Sequence, residues 1–264
     1  MKYFVSSDIH GFFDQWMYAL NNAGFNKHNP DHKIILCGDM FDRGHQPKQI
    51  IDFINDMGDK IILIKGNHED LMEDLIAREY AHSYDVSNGT VETLYDLSPS
   101  MYANNVSLKI IAENTGLTGI INKCYNYYET DNYIFVHGYI PVNHMDDKNY
   151  TYKKNWRNAN PDEWKNARWV SCVDMYKKKI HEPKKKIVCG HWHCSALWAY
   201  KYPKQYMEFD TTLSVGNNNH IYKANFDIFH SNNIIAIDAC TAYSNKVNVL
   251  VVEDTIGGKW WRLL

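Results

Sequence analysis

Short apolar runs recur along this chain, and polar residues follow each of them directly. The runs end at Val5, Cys37, Ile64, Val136 and Cys189. An uninterrupted apolar run of roughly 4–8 residues is typical of a strand that is buried on both faces. Two later runs, at 234–238 and 247–252, predict further strands near the end of the chain.

Helical patterns separate the first strands. Apolar residues recur at helical spacing over 13–20 and 50–57, and Gly24 and Gly58 are suitable end points for the two helices. After the third strand, acidic residues 69–70 favour the positive end of another helix. This alternation predicts the α/β class, with a parallel sheet and right-handed crossovers.

Two polar segments interrupt this alternation, at about 80–131 and about 139–183. We expect them to form caps inserted into a single domain that spans residues 1–264. The first contains Asn88-Gly89-x-x-x-Thr93-Leu94, to which the sequence assigns no chemical role. The second contains Trp156, Trp164 and Trp169, for which packing against the core is the main interpretation and a substrate-stacking surface the alternative.

The bulk composition limits the classes of protein to consider. Of the 264 residues, 45% are hydrophobic and 22% are charged, which suits a globular protein with a substantial core. The formal net charge of −3 argues against a dedicated nucleic-acid binder. The six cysteines form no Cys-x-x-Cys pair, and no apolar run approaches the roughly 20 residues of a membrane helix. The first strand also leaves no room for a signal peptide, so we expect a cytoplasmic protein without a membrane partner.

The residues that come directly after the five strands are typical metal ligands. A single histidine after a strand is usually an ordinary loop residue, but here every one of the five ends carries such groups. They are Asp8 and His10, Asp39 and Asp42, Asn67 and His68, His137, and His191 and His193. Because parallel strands gather their carboxyl ends at one edge, this pattern predicts a dinuclear metal site.

The stretch Gly38–Gly44 combines two of these aspartates with Arg43. A carboxylate with two oxygens can bridge two cations, and a guanidinium can hold a phosphate through two parallel hydrogen bonds. Taken alone, the stretch could also be a polar turn between a strand and a helix.

Together the motifs resemble the calcineurin-like metallophosphoesterases, and within them the bacterial and phage phosphoprotein phosphatases. The matching residues are Asp8-Ile-His10, Gly38-Asp39 through Asp42-Arg43-Gly44, Gly66-Asn67-His68-Glu69, His137-Gly138 and Gly190-His191-Trp-His193. The resemblance implies an α/β fold in which a metallophosphoesterase-type β-sandwich is flanked by helices and carries inserted helical caps.

The resemblance also implies a role for each residue. One metal would be bound by Asp8, His10, Asp39 and His193, and the other by Asp39, Asn67, His137 and His191. Two divalent ions are expected, Mn²⁺ first and Fe or Zn²⁺ as alternatives. His68 would donate a proton to the leaving group and Asp42 would orient it, while Arg43 and Asn67 would bind the substrate.

The implied activity is hydrolysis of phosphomonoesters, on a phosphoprotein or a small molecule, by in-line attack of a metal-bound hydroxide. The chain departs from the phosphoprotein phosphatase pattern in two places. The chain has Gly190-His191-Trp192-His193 where the phosphoprotein phosphatases usually have Gly-His-Thr, and their additional phosphate-binding arginine can only be nominated as Arg157 or Arg168. The alternatives are therefore a dinucleoside polyphosphate hydrolase or phosphodiesterase, and a metal-bound scaffold without turnover. The sequence gives no signal of oligomeric state.

Overall fold

Two β-sheets form the centre of the molecule. The computed structural model describes residues 1–146, 149–209 and 223–254. Its strands are β1 (Lys2–Ser6), β2 (His32–Cys37), β3 (Ile61–Ile64), β4 (Tyr128–Glu129), β5 (Tyr133–Phe135), β6 (Val142–Asp146), β7 (Asn149–Tyr152), β8 (Lys186–Cys189), β9 (Phe229–His230), β10 (Ile234–Ala236) and β11 (Leu250–Glu253).

Twelve α-helices lie among these strands in the described residues. They are α1 (Phe13–Asn22), α2 (Pro47–Met57), α3 (Asn67–Arg78), α4 (Ser83–Asn88), α5 (Thr90–Leu97), α6 (Pro99–Ala103), α7 (Leu108–Asn114), α8 (Leu117–Ile121), α9 (Pro161–Ala167), α10 (Cys172–Lys178), α11 (Cys194–Lys201) and α12 (Thr241–Ser244). The predicted α/β class is confirmed.

The parallel strands are divided between two sheets. In the first sheet, with order β11-β1-β2-β3, strands β1, β2 and β3 are parallel and β11 is antiparallel to β1. In the second, with order β4-β5-β8-β10-β9, the central strands β5, β8 and β10 are parallel and both outer strands are antiparallel. Strands β6 and β7 pair separately. The prediction of parallel pairing is therefore right for the central strands of each sheet.

The side chains of the central strands alternate between two cores. Tyr3 and Val5 point into the same apolar cluster as Val188 and Ile235, which lies between the two sheets. Phe4 belongs instead to the cluster beneath the helices of the first sheet. Both faces of each central strand are thus buried, and this explains why the strands are continuous apolar runs in the sequence.

The two predicted insertions contribute to the outer layers. Leu94, Ile111 and Leu117, from the segment 80–131, join the same cluster as α1 and α2. Trp156 and Trp164, from the segment 139–183, are fully or almost fully buried on the outer face of the second sheet. The packing interpretation is right for these two tryptophans. The division into one domain with two caps stays a prediction.

Within the described ranges, no helix has both the length and the apolar character needed to cross a membrane. The same ranges end at Asp254, so the sequence Trp260-Trp261, which suggests a cover for a sheet edge, lies outside the described residues.

Candidate dinuclear metal centre

The loops at the ends of the central strands of both sheets meet in one cleft with a volume of about 990 Å³. Most of the predicted site residues line it: Asp8, His10, Asp39, Arg43, Asn67, His68, His191 and His193. His137 and Asp42 lie directly behind these residues, His137 against Asn67 and Asp42 against His68. The structure therefore brings together every residue that the sequence analysis assigned to the site.

The backbone around the cleft has an unusual conformation. Asp8, His10, Asp39 and His191 all have positive φ angles, between 45° and 64°, although none is glycine. Such a conformation costs about 1–2 kcal/mol per residue, and it clusters at functional sites where the surrounding structure enforces it. Here hydrogen bonds between loops hold the backbone in this conformation. The Asp8 amide, for example, donates to the Gly38 carbonyl at 3.1 Å.

Glycines allow these loops to touch. A Cβ added to Gly38 would lie 2.6 Å from both the Gly66 Cα and the His137 Nδ1. A Cβ added to Gly190 would lie 2.1 Å from the Asp8 Oδ2. The glycines next to the metal-ligand residues are thus required by close approach of one loop to the next.

One cluster of ligand atoms combines Asp39, His137 and His191, whose ligand atoms all lie within 4.8 Å of one another. The His137 Nδ1 is 2.9 Å from the Cys37 carbonyl, so this nitrogen carries the proton and donates it. The other nitrogen, Nε2, is 2.7 Å from the Asn67 Oδ1 and 3.3 Å from the Asp39 Oδ1. Three lone-pair atoms therefore converge without a proton between them, which is the arrangement that a bound cation satisfies.

A second cluster combines His10, Asp39 and His68. The His10 Nδ1 donates to the Phe41 carbonyl at 3.0 Å, which leaves Nε2 unprotonated and 3.7 Å from the Asp39 Oδ2. Asp39 thus directs one oxygen to each cluster. This is the position that a carboxylate bridging two cations requires.

Asp8 and His193 line the same cleft but lie outside these two tight clusters. The Asp8 carboxylate accepts hydrogen bonds from the His191 amide at 3.0 and 3.1 Å and from the Ser7 hydroxyl. The His193 Nδ1 is 2.8 Å from the Ser195 Oγ, so its Nε2 remains available as a ligand atom.

The protonation of the histidines divides them into two groups. Burial is the largest influence on His10, His137, His191 and His193, and it lowers the pKa of all four, to about 3 for His191 and about 4 for His193. Neutral imidazoles are the form that binds metals.

His68 differs from the other histidines of the cleft. Burial alone would lower its pKa, but the charges of Asp39 and Asp42 and a hydrogen bond to Asp42 raise the pKa above its usual value. Its Nδ1 donates to the Asp42 Oδ2 at 2.7 Å, and its Nε2 is 3.3 Å from the Arg43 Nη2. The position of His68 would also allow it to bind a metal, as its membership of the second cluster shows. Its raised pKa, however, suits the predicted function of a proton donor better than that of a ligand.

Glu69 has a supporting function that the sequence analysis missed. It is buried, and its Oε2 accepts from the amides of Asp39 at 2.9 Å and Gly66 at 2.8 Å, while Oε1 accepts from Met40 at 2.9 Å. Burial, together with the charge of Asp39, raises its pKa to about 7. Its place at the end of the Gly66–Glu69 motif was the available signal.

Neither nominated arginine, Arg157 or Arg168, is placed to bind phosphate in the cleft. Arg168 is buried and makes two hydrogen bonds to Asp70, at 2.5 and 2.9 Å. Arg157 makes two hydrogen bonds to Glu129, at 2.9 and 2.6 Å. Neither lines the cleft as the structure describes it, because each is held by a carboxylate elsewhere.

Other residues enter the cleft that the sequence did not single out as site residues. Asp238, which lies just after β10, is a buried carboxylate in its wall, and burial raises its pKa to about 6. Trp192 is 38% exposed there, and Trp169 is 50% exposed, with its ring 5.8 Å from that of His191. Trp169 therefore does not share the packing function of the two other tryptophans in its segment.

The sequence match identifies the class of protein. Residues 1–229 match the family described as Calcineurin-like phosphoesterase, so the chain belongs to that family, as its strand-end motifs predicted. The family depends on a dinuclear metal centre, and the two clusters around Asp39 supply candidate ligands for one.

Particular relatives are similar over shorter stretches. The chain is 34% identical over 67 residues to a symmetrical bis(5'-nucleosyl)-tetraphosphatase of Buchnera aphidicola, and 32% identical over 69 residues to one of Psychromonas ingrahamii. These alignments cover 25% and 26% of this chain and 23% and 24% of the relatives.

Among solved structures, the cold-active protein-tyrosine phosphatase of a psychrophilic Shewanella has a similar fold. The TM-score is 0.55 at 16% identity, over 96% of this chain and 75% of that one. At this level of identity the likeness concerns the fold alone.

Proposed function

We propose that this chain is a metal-dependent phosphoester hydrolase that prefers phosphomonoesters, carried on a phosphoprotein or a small molecule. Family membership supports the hydrolysis of phosphoesters. The observation that carries the monoester preference is the placement of the Arg43 guanidinium in the cleft, against His10 and His68 of the second cluster.

The proposed ligands are those predicted from the sequence. Asp8, His10, Asp39 and His193 would hold one divalent ion, and Asp39, Asn67, His137 and His191 the other. Carboxylate and imidazole donors in this mixture suit Mn²⁺ first, with Fe or Zn²⁺ as alternatives. When bound, the two ions would supply Lewis acidity at the phosphoryl group and lower the pKa of a coordinated water.

The protein's own groups complete the chemistry. Asp42 accepts the His68 Nδ1 proton and, with Asp39, favours the imidazolium form of this ring. The second proton of the imidazolium, on Nε2, faces the cleft and can pass to a leaving oxygen, which leaves His68 neutral. Arg43 is exposed in the cleft, and its two terminal nitrogens lie 3.1 Å from the His10 Nε2 and 3.3 Å from the His68 Nε2. The guanidinium can therefore bind phosphoryl oxygens next to the cluster of His10, Asp39 and His68.

A monoester makes fuller use of this cation than a diester does. Near neutral pH a phosphomonoester is largely a dianion with three unesterified oxygens, so that one remains for Arg43 when others bind elsewhere. A diester has one negative charge and two such oxygens, and its second ester group would need the space near Arg43. Transition-state charge shared with a preorganised cation favours the monoester further.

A separate observation supports a second candidate function, the hydrolysis of dinucleoside polyphosphates. The exposed rings of Trp169 and Trp192 line the cleft, and a nucleobase can stack on such rings. The local similarity to symmetrical tetraphosphatases points the same way.

One substrate panel distinguishes these candidates. Protein reconstituted with Mn²⁺ is assayed for kcat/KM on phosphoserine and phosphotyrosine peptides, p-nitrophenyl phosphate, bis(p-nitrophenyl) phosphate and diadenosine tetraphosphate. We expect the monoesters to be hydrolysed most efficiently. A higher value for diadenosine tetraphosphate would favour the second candidate, and two bound metals without turnover on any substrate would favour a scaffold.

The proposed setting is the cytoplasm, with a phosphorylated substrate as partner and without membrane or nucleic-acid binding. All six cysteines are free in the structure, and Cys37 and Cys189 lie in buried strands as predicted. Unpaired thiols of this kind suit a reducing compartment.

A further inference from the structure

The segment Asn88–Leu94, to which the sequence assigned no chemistry, packs against the loop that carries Asp42 and Arg43. We propose that Thr90 and Thr93 are positioning residues that hold the Asp42 carboxylate in the orientation needed to align His68. This inference rests on the proposed phosphoesterase function.

The hydroxyl groups of both threonines reach Asp42. The Thr90 Oγ1 donates to the Asp42 Oδ2 at 2.9 Å, and the Thr93 Oγ1 is 3.0 Å from Oδ1. The Asp42 amide in turn donates to the Thr93 Oγ1 at 2.9 Å. All three residues are at most 1% exposed. A buried carboxylate requires donors on its oxygens, and these hydroxyls supply them.

The threonines leave Asp42 one usable orientation. Oδ2 accepts from both Thr90 and the His68 Nδ1, while Oδ1 is directed toward Thr93. If the carboxylate turned about its Cβ–Cγ bond, it would break all three contacts together. The His68 ring is thus held through Asp42 by two hydroxyls that do not themselves reach the cleft.

Gly89 places the threonines and supports the arginine at the same time. Its φ of +83° ends α4 and begins α5, and a Cβ at this position would lie 2.4 Å from the Arg43 amide nitrogen. The backbone of Arg43, like that of Asp42, has a positive φ, so this loop depends on outside support. The junction of the two helices therefore rests directly on the residues it positions.

This arrangement predicts an effect that depends on the leaving group. His68 matters most when the leaving group is an alkoxide that needs a proton, and least when it is nitrophenolate. Loss of a threonine hydroxyl should therefore lower kcat on alkyl phosphates and leave KM and metal content nearly unchanged. We expect about a 10-fold loss for Thr90→Val and about a 10- to 100-fold loss for Thr93→Val, which makes two contacts with Asp42.

The variants Thr90→Val and Thr93→Val are compared with Thr90→Ser and Thr93→Ser, which restore the hydroxyl. Thr118→Val is the matched control, because the Thr118 hydroxyl has no hydrogen-bond partner among the described residues and lies outside the cleft. Each variant is assayed for kcat and KM on a phosphoserine peptide and on p-nitrophenyl phosphate, for metal content and for melting temperature. We expect the valine variants to lose kcat on the phosphoserine peptide but much less on p-nitrophenyl phosphate. The serine variants should recover this activity, and Thr118→Val should show no loss.

A second measurement does not depend on activity. In protein with ¹⁵N-labelled histidine, the His68 Nδ1 proton should give a protected ring signal, assigned by its absence in His68→Ala. We expect the signal to broaden or vanish in Thr93→Val and to remain in Thr118→Val. An unchanged signal, an equal loss of kcat on both esters, or a loss of metal would overturn the proposal. If the wild type hydrolyses no phosphoester, the proposed function fails and the ring signal still tests the positioning.

Discussion

At the cleft, the loops after β1, β2 and β3 contribute Asp8, Asp39, Asp42, Asn67 and Arg43 together with two histidines, whereas the loops after β5 and β8 contribute three histidines. Most of the charged groups, and the proposed proton donor His68, thus belong to the first sheet. The second sheet supplies imidazoles that burial keeps neutral, with His191 and His193 having pKa values of about 3 and 4. The first sheet therefore carries candidate ligands together with His68, whereas the second sheet contributes neutral imidazoles.

The two sheets also differ in how their residues are supported. The loops of the first sheet hold one another, since the His10 amide donates to Asp39 at 3.0 Å and Glu69 accepts from the Asp39 amide at 2.9 Å. Two of the three histidines of the second sheet depend on the first sheet. His137 donates to the Cys37 carbonyl at 2.9 Å, and the His191 amide donates to Asp8. A metal bound between them would join the two sheets at this edge.

The largest effect should come from Asp39→Ala, because this carboxylate directs one oxygen to each ligand cluster. We expect both metals to be released and activity to fall to background. His193→Gln is the matched comparison from the second sheet, and it should weaken one ion only. Elemental analysis measures both variants, and two metals per chain in Asp39→Ala would contradict the bridging position.

His68→Ala tests whether the first sheet supplies acid chemistry as well as ligands. We expect retention of metal and a loss of roughly 10²–10⁴ in kcat on alkyl phosphates, the usual range for a general acid. The loss should shrink for p-nitrophenyl phosphate, whose leaving group hardly needs a proton. If metal is lost with activity, His68 is a ligand, and the contrast with the second-sheet histidines disappears.

Arg43→Ala removes the exposed cation of the first sheet. Monoester hydrolysis should fall about 10- to 100-fold, since a charge-assisted hydrogen bond contributes about 1.5–3 kcal/mol. Hydrolysis of bis(p-nitrophenyl) phosphate should fall much less, because the second ester group competes for the space near Arg43. An equal fall in kcat/KM for both substrates would support the nucleotide-hydrolase candidate instead.

The smallest effect concerns the pH dependence of stability, and its sign differs between His193 of the second sheet and His68 of the first. In metal-free protein, the lowered pKa of His193 means that the unfolded chain takes up a proton below about pH 6.5 and the folded chain does not. The contribution of this group to the free energy of unfolding therefore decreases as the pH is lowered below about 6.5, by about 1.4 kcal/mol per pH unit. Between pH 7 and 5, the free energy of unfolding should therefore shift by about 2 kcal/mol in favour of His193→Gln relative to the wild type.

The same comparison for His68 should give the opposite sign. Its raised pKa lets the folded chain keep the proton more firmly than the unfolded chain, so its contribution is present at low pH and is lost as pH rises through the folded pKa. Urea unfolding of metal-free wild type, His193→Gln and His68→Gln at several pH values measures both slopes. Parallel slopes for the two variants would remove the electrostatic distinction between His68 and His193.

Much of the centre could be predicted from the sequence because its signals are local. Each central strand is a continuous apolar run, and its ligand residues lie within a few positions of its end, as in Asp8 and His10 after β1. Burial of both strand faces requires such runs, and parallel strands bring the loops at their carboxyl ends to one shared edge. The nominated arginines had no comparable local context, and both proved to be paired with carboxylates elsewhere.

The sequence by itself determined the central strands, the class of fold and the set of candidate metal-ligand residues, since contiguous residues encode them. Tertiary packing decided how the parallel strands divide between two sheets and which tryptophan of Trp156, Trp164 and Trp169 reaches the cleft. It also brought Thr90 and Thr93 to Asp42, across 48 and 51 residues of chain. The reason is physical: a threonine in a helix has the same local pattern whichever way it faces, and only the packing of distant elements decides what its hydroxyl meets.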